Sequence, residues 1–172
     1  MIAFRHADPR FPFLWEGASQ PAGRWNDEGD LTHYFCDTPD GAWAEFLRHE
    51  EITDPVDVAT IRRALWAVEI GEPPRLQPDL LLETITGGPV TWQECRQFAR
   101  THRQDADGLI APSAALRPGQ ANGWRTEEGM RPGPEQDGQV IALFGARPDL
   151  VGWAATAEGQ PDEALLIKVS HF

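Results

Sequence analysis

Cysteine is nearly absent: Cys36 and Cys95 are the only two in 172 residues, with no C-x-x-C or Cys/His spacing, which excludes a disulfide framework and a thiolate metal cluster. Both read as reduced, structural thiols. Basic residues are scarce as well. Fifteen Lys and Arg stand against 27 Asp and Glu, a formal charge of -12, so most of the surface repels nucleic-acid backbones and anionic membranes. No run approaches the ~20 apolar residues of a membrane span. The first ten residues lack the basic and apolar regions of a secretory signal, so a cytoplasmic location is the expectation. Gly-rich phosphate loops of the Walker or dinucleotide type are missing, as are internal repeats.

The composition is that of an ordinary globular protein, 41% apolar and 24% charged, which sets aside disordered and fibrous classes. The length suits one domain over 1–172, able to bury roughly 70% of the surface its unfolded chain exposes. An acidic protein that takes a phosphate-bearing ligand must gather its few cations in one place, so individual arginines matter.

Ile2 to His6 reads as a strand. Pro9, Pro12, Gly17, Pro21 and Gly23 then punctuate an irregular segment, and Leu31 to Cys36 is a second strand. Asp37 and Thr38 before Pro39 supply a capping side chain and a first-turn proline, predicting a helix from about 39 to 50. On it Trp43, Phe46 and Leu47 form an apolar stripe, with Ala42, Glu45 and His49 along an adjacent line. Asp54 and Pro55 mark a further short helical turn, and Ala64 to Ile70 is a strand. Thr91 and Glu94 have capping-box spacing, and Trp92, Cys95, Phe98, Ala99 and His102 follow at helical intervals. Gly108–Ala111, Val140–Phe144 and Ala164–Val169 read as strands, while residues 112–138 form a Gly/Pro-rich excursion treated as a candidate lid. Short strands mixed irregularly with two or three helices predict an α+β sandwich rather than a βαβ alternation.

The chemically informative stretch is Gly23-Arg24-Trp25-Asn26, followed by Gly29, by Tyr34 ten residues after Arg24, and by Glu45 eleven further on. Together with Arg5 in the first strand and Ser113 after Pro112, this pattern resembles the RES family, named for an Arg, a Glu and a Ser. The resemblance runs from about residue 2 to about residue 145. It implies an ADP-ribosyltransferase-like fold of antiparallel sheets flanked by helices. It also implies cleavage of the nicotinamide–ribose bond of NAD, by glycohydrolase or phosphorylase chemistry or by transfer of ADP-ribose to a protein. NAD is then a substrate, and neither a metal nor a separate cofactor is expected.

Residue chemistry agrees with that implication. Nicotinamide leaves as a neutral group, so the barrier lies in the oxocarbenium-like sugar that one carboxylate can stabilise. Glu45 is assigned that role. Arg24 suits a pyrophosphate or ribose oxygen through its planar donor fork. Tyr34 suits a nicotinamide ring, and Arg5, His49 and Ser113 are further candidate ligand contacts. Taken singly, each residue has a plainer reading: Arg24 as a surface cation, Glu45 as a solvated helix residue, Tyr34 as packing and Ser113 as a turn. Asp27, Glu28 and Asp30 read as a solvated acidic turn. One departure from the family pattern precedes the glutamate, where Pro39, Asp40 and Gly41 stand in place of a small hydroxyl residue.

The resemblance further implies the toxin half of a bacterial toxin–antitoxin pair, with a small helical Xre-like antitoxin as partner. Direct nucleic-acid or membrane binding is not expected, and homodimer formation stays open. A RES-like module that binds a nucleotide or partner without catalysis is the alternative from another class.

Overall fold

The computed structural model describes residues 1–11, 13–14, 20–126 and 130–172, with backbone only at 123–126 and 130–132. The expectations at Pro12 and Gly17 therefore lie outside the described residues. Among those described, the strands are β1 (Ile2–Ala7), β2 (Thr32–Cys36), β3 (Arg63–Glu69), β4 (Gly108–Pro112), β5 (Ala121–Thr126), β6 (Met130–Gln136), β7 (Gln139–Phe144) and β8 (Val151–Gly159). Six of them form one antiparallel sheet in the order β4-β7-β2-β1-β3-β8, and β5 pairs with β6 in a two-stranded ribbon. The helices are α1 (Pro39–His49), α2 (Pro55–Val58), α3 (Leu82–Thr86) and α4 (Trp92–His102), with 3-10 turns at Pro89–Thr91 and Glu163–Lys168. The expected α+β class, an antiparallel sheet flanked by helices, is what the chain forms. No helix among the described residues is long and apolar enough to cross a membrane.

Alternation along the strands gives the sheet two unlike faces. On one, Cys36, Leu65 and Val140 pack with Trp43, Phe46 and Leu47 of α1, while Leu109, Ala111, Ala142 and Phe144 pack with Cys95 and Ala99 of α4. On the other, Ala3, Phe35, Val68, Ile141 and Leu143 meet Phe13 and Leu14. Both long helices thus lie on the same face, and the space between them is where the motif residues converge.

Helix α1 forms as its sequence dictates. The Thr38 hydroxyl accepts from the Gly41 N–H at 3.0 Å, Pro39 fills the first position, and Trp43, Phe46 and Leu47 are 6%, 8% and 0% exposed. It ends where Glu51 turns left-handed (φ 52°) and the Ile52 N–H returns to the Leu47 carbonyl at 2.9 Å. Asp54 caps α2 in the same manner, accepting from Val56 N–H at 2.8 Å.

Four expectations are corrected. Thr91 and Glu94 make no capping box: a 3-10 turn precedes α4, the Thr91 hydroxyl donates to the Gly88 carbonyl at 2.9 Å, and no side chain caps the helix. Residues 112–138 are not loop throughout but contain the β5–β6 ribbon. Their Gly and Pro fit because a ribbon outside the main sheet tolerates residues that break a central ladder. The run from 164 to 168 lies in a 3-10 turn rather than a strand, because Asp162 accepts from the Ala164 N–H at 2.9 Å and starts a helical turn, and Val169 alone is extended, in an isolated bridge to Leu116. Asp27 and Asp30 are not simply solvated: Asp27 pairs with Arg100 at 2.6 Å and Asp30 lies 3.6 Å from Arg103, tying their loop to α4.

Gly108 shows how closely the sheet is built. A Cβ there would stand 2.3 Å from the Ala142 carbonyl oxygen and 2.9 Å from the Leu143 Cα, both backbone atoms of β7. Gly108→Ala is expected to cost at least the ~1–3 kcal/mol typical of overpacking. A lower denaturant midpoint at unchanged m-value checks it, and a wild-type midpoint would refute the close approach.

Candidate active site

Glu45 projects from the middle of α1, half-buried, and accepts a hydrogen bond from the Ser113 hydroxyl at 3.1 Å. Ser113 follows β4 and is itself fixed: its hydroxyl oxygen accepts from the N–H groups of Ala115 (3.2 Å) and Leu116 (3.3 Å), and its own N–H donates to the Gly138 carbonyl at 2.8 Å. Burial pushes the Glu45 carboxyl above the ordinary glutamate range, opposed by the Ser113 hydroxyl, Arg24, Arg48 and the Ala115 backbone.

The loop bearing Arg24 is locked from beneath. The Gly23 N–H donates to the Asn26 carbonyl at 3.0 Å, and the Asn26 amide donates to the carbonyls of Pro21 and Asp27, each at 2.9 Å. Tyr34 closes it: its hydroxyl donates to Asn26 Oδ1 at 2.8 Å and accepts from the Trp25 N–H at 2.9 Å. Gly23 has to be glycine here, since a Cβ would meet Asn26 Oδ1 at 2.6 Å and the Tyr34 hydroxyl at 3.0 Å. Burial raises the Tyr34 pKa further, so it stays a neutral phenol. Trp25 is 1% exposed with its ring against Phe98 of α4.

Arg24 thereby stands beside α4, with Nη2 donating to the Gly87 carbonyl at 2.7 Å and its guanidinium 5.4 Å over the Trp92 ring. Burial lowers its pKa, while Cys95 and Glu45 act the other way. A second guanidinium, Arg48, comes from α1 one turn after Glu45. It is 4% exposed and donates to the carbonyls of Ala114, Ser170 (2.8 Å), Thr86 (3.1 Å) and Gly87 (3.3 Å). The sequence reading missed it, although an arginine three residues after a functional glutamate on a helix is a legible signal. Two guanidiniums and one carboxylate thus give a positive group in a protein of charge -12.

Glu45, Arg24, Ser113 and Tyr34 are therefore brought together, with the Tyr34 hydroxyl engaged in holding the loop. His49 is exposed at the end of α1. Arg5 lies across the sheet from Glu45, 5.9 Å over the ring of Phe35, on the face opposite Tyr34. His6, beside it in β1, is on the α1 face, where it accepts from Arg63 Nε at 3.2 Å and meets the Phe46 ring at 4.9 Å. Burial, aided by Arg63, pushes His6 down to about 3.

The raised Glu45 pKa has a measurable sign. Between the ordinary glutamate value and the raised one, the folded state binds a proton the unfolded chain has lost, so Glu45 makes stability fall as pH rises through that window and then level off. Glu45→Gln is expected to remove that fall, seen in melting temperatures from about pH 4.3 to neutrality. His6 contributes the opposite slope in both proteins and cancels. Parallel profiles would mean that Glu45 titrates like an exposed carboxylate.

A family model described as RES domain matches residues 2–160. Among solved structures, a chain in the crystal structure of the M. tuberculosis MbcT–MbcA toxin–antitoxin complex is similar, with a TM-score of 0.61 and 14% identity, over 96% of this chain and 86% of that one. At that identity the likeness is one of fold. No curated protein matches the chain in sequence.

Proposed function

The chain belongs to the RES domain family, and on that premise we propose that it cleaves the nicotinamide–ribose bond of NAD, as the toxin of a bacterial toxin–antitoxin pair. The observation that carries the reading is the half-buried Glu45 carboxylate, held by Ser113 and flanked by Arg24 and Arg48. Nicotinamide departs as a neutral ring from a pyridinium, so the enzyme's task is to stabilise the positive sugar it leaves behind. A fixed carboxylate, already partly removed from water, interacts with that charge more strongly than a solvated one and needs little reorganisation as it develops. Arg24 suits phosphate or ribose oxygens, and Ser113 holds the carboxylate in register.

The sugar carbon is then attacked by water or phosphate. Transfer to a protein acceptor is the alternative outcome. The partner expected for a toxin is an antitoxin of the small, helical, Xre-like kind, a reading supported by the toxin–antitoxin complex that holds the similar fold. The direct test is NAD incubated with purified protein, with and without phosphate, following nicotinamide and the ADP-ribose product. Stoichiometric release of nicotinamide supports the reading, with phosphate dependence naming the acceptor. NAD that stays intact under both conditions, with no label reaching protein, leaves only a binding module.

A further inference from the structure

Next to Glu45 the protein gathers nitrogens that have no hydrogen-bond partner. Nη1 of Arg24, Nε of Arg48, Nε1 of Trp92 and Nδ1 of His171 are each buried without a hydrogen-bond partner. Three of them belong to one closed circuit, and the fourth is on His171, the residue before the Phe172 that closes it. The Arg24 guanidinium lies 5.4 Å over the Trp92 ring, Trp92 lies 6.4 Å from the Phe172 ring, and Phe172 lies 4.4 Å from the Arg48 guanidinium. Both guanidiniums return to the same Gly87 carbonyl, at 2.7 and 3.3 Å. Arg48 is met by backbone carbonyls, which leave its full charge uncompensated apart from the field of Glu45. Helix α4 begins at Trp92 with no side chain capping it, adding the positive end of its dipole at the same place.

An orphaned buried donor is costly, and three in one circuit, on Arg24, Arg48 and Trp92, call for a ligand rich in acceptor oxygens, which the unpartnered imidazole of His171 can also meet as a donor through Nδ1. We propose that this circuit receives phosphate oxygens, those of a diphosphate or a terminal phosphate, with Arg48 and His171 completing the site that Arg24 begins. The proposal rests on reading the surroundings of Glu45 as a dinucleotide site and extends that reading, with the ribose at Glu45 and the diphosphate against Arg24, Trp92 and His171. Arg48 is a positioning residue: its Nη atoms are taken by carbonyls, so it supplies charge and seats the Gly87 carbonyl and Phe172. His171 and Phe172 lie beyond residues 2–160, so this wall is not part of the matched family region.

The test is calorimetric titration of the full chain with inorganic pyrophosphate. Wild type is expected to bind. Trp92→Phe, which keeps the ring and loses the donor, and His171→Phe are each expected to weaken binding about tenfold. Arg48→Met is expected to weaken it more, with partial rescue in Arg48→Lys, a recovery that a purely structural role would not give. If Arg48→Met does not fold, the Trp92 and His171 variants carry the test alone. No pyrophosphate binding by wild type, or equal affinity in every variant, overturns the proposal. Binding that the variants lose while wild type leaves NAD intact keeps this site and removes the NAD-cleavage reading. NAD cleaved with unchanged KM in all variants removes this site and keeps that reading.

Discussion

Glu45→Gln is expected to lower the rate of NAD cleavage by about a hundred- to a thousandfold, the usual effect of deleting one preorganised electrostatic group. The substitution is nearly isosteric, and the Ser113 hydroxyl, 3.1 Å away, can donate to an amide oxygen as it does to the carboxylate. What disappears is the negative charge that, on the proposed reading, would face the sugar. The fold gains rather than loses, because an amide is cheaper to bury than a carboxylate whose pKa burial has already raised. Loss of turnover with equal or higher melting temperature therefore separates a chemical role from a structural one. A Gln variant that releases nicotinamide at the wild-type rate would remove Glu45 from the reaction.

Trp25→Ala is expected to be the most destabilising single change, costing about 3–5 kcal/mol. Its side chain is 1% exposed and packs against Phe98, and its backbone joins the Tyr34 hydroxyl on one side and Arg103 on the other. Since a domain has about 5–15 kcal/mol of stability in all, that loss is a large fraction of it. Trp153→Ala on β8, 47% exposed, is the control, expected to stay within about 0.5 kcal/mol. Denaturant midpoints compare them. Similar midpoints for the two would mean that the Trp25 loop is not part of the folding core. The same change is expected to depress activity, since the loop that Trp25 anchors is what aims Arg24.

Much of this arrangement was legible beforehand, for identifiable reasons. Helix α1 announces itself by a capping threonine, a first-turn proline and an apolar stripe, and β1 to β4 and β7 by short β-compatible runs with clear boundaries. Helix α3 has five residues, two of them buried, too few to establish a period, and it went unread. Strand β8 sits at the sheet edge with most side chains exposed, so burial never imposed an apolar pattern on it. Glu45 and Ser113 meet across 68 positions of sequence, which a family pattern can suggest and local chemistry cannot. Arg5 illustrates the converse: alternation says that it and His6 face opposite ways, but which of them shares a face with Glu45 depends on where α1 packs. Arg48 had a legible signal in its spacing from Glu45, but its partners are main-chain carbonyls, which leave no mark in the sequence.

Those carbonyls bear on the order in which the molecule matures. Thr86, Gly87, Ala114 and Ser170 come from three stretches of chain, and one guanidinium gathers them. A nascent chain displaying everything through Glu45 and Ser113 carries the whole recognisable motif and still lacks the segment that encloses it. The enclosure of Arg48 is therefore completed only when residues around Ser170 dock, so the motif is synthesised well before its surroundings are finished.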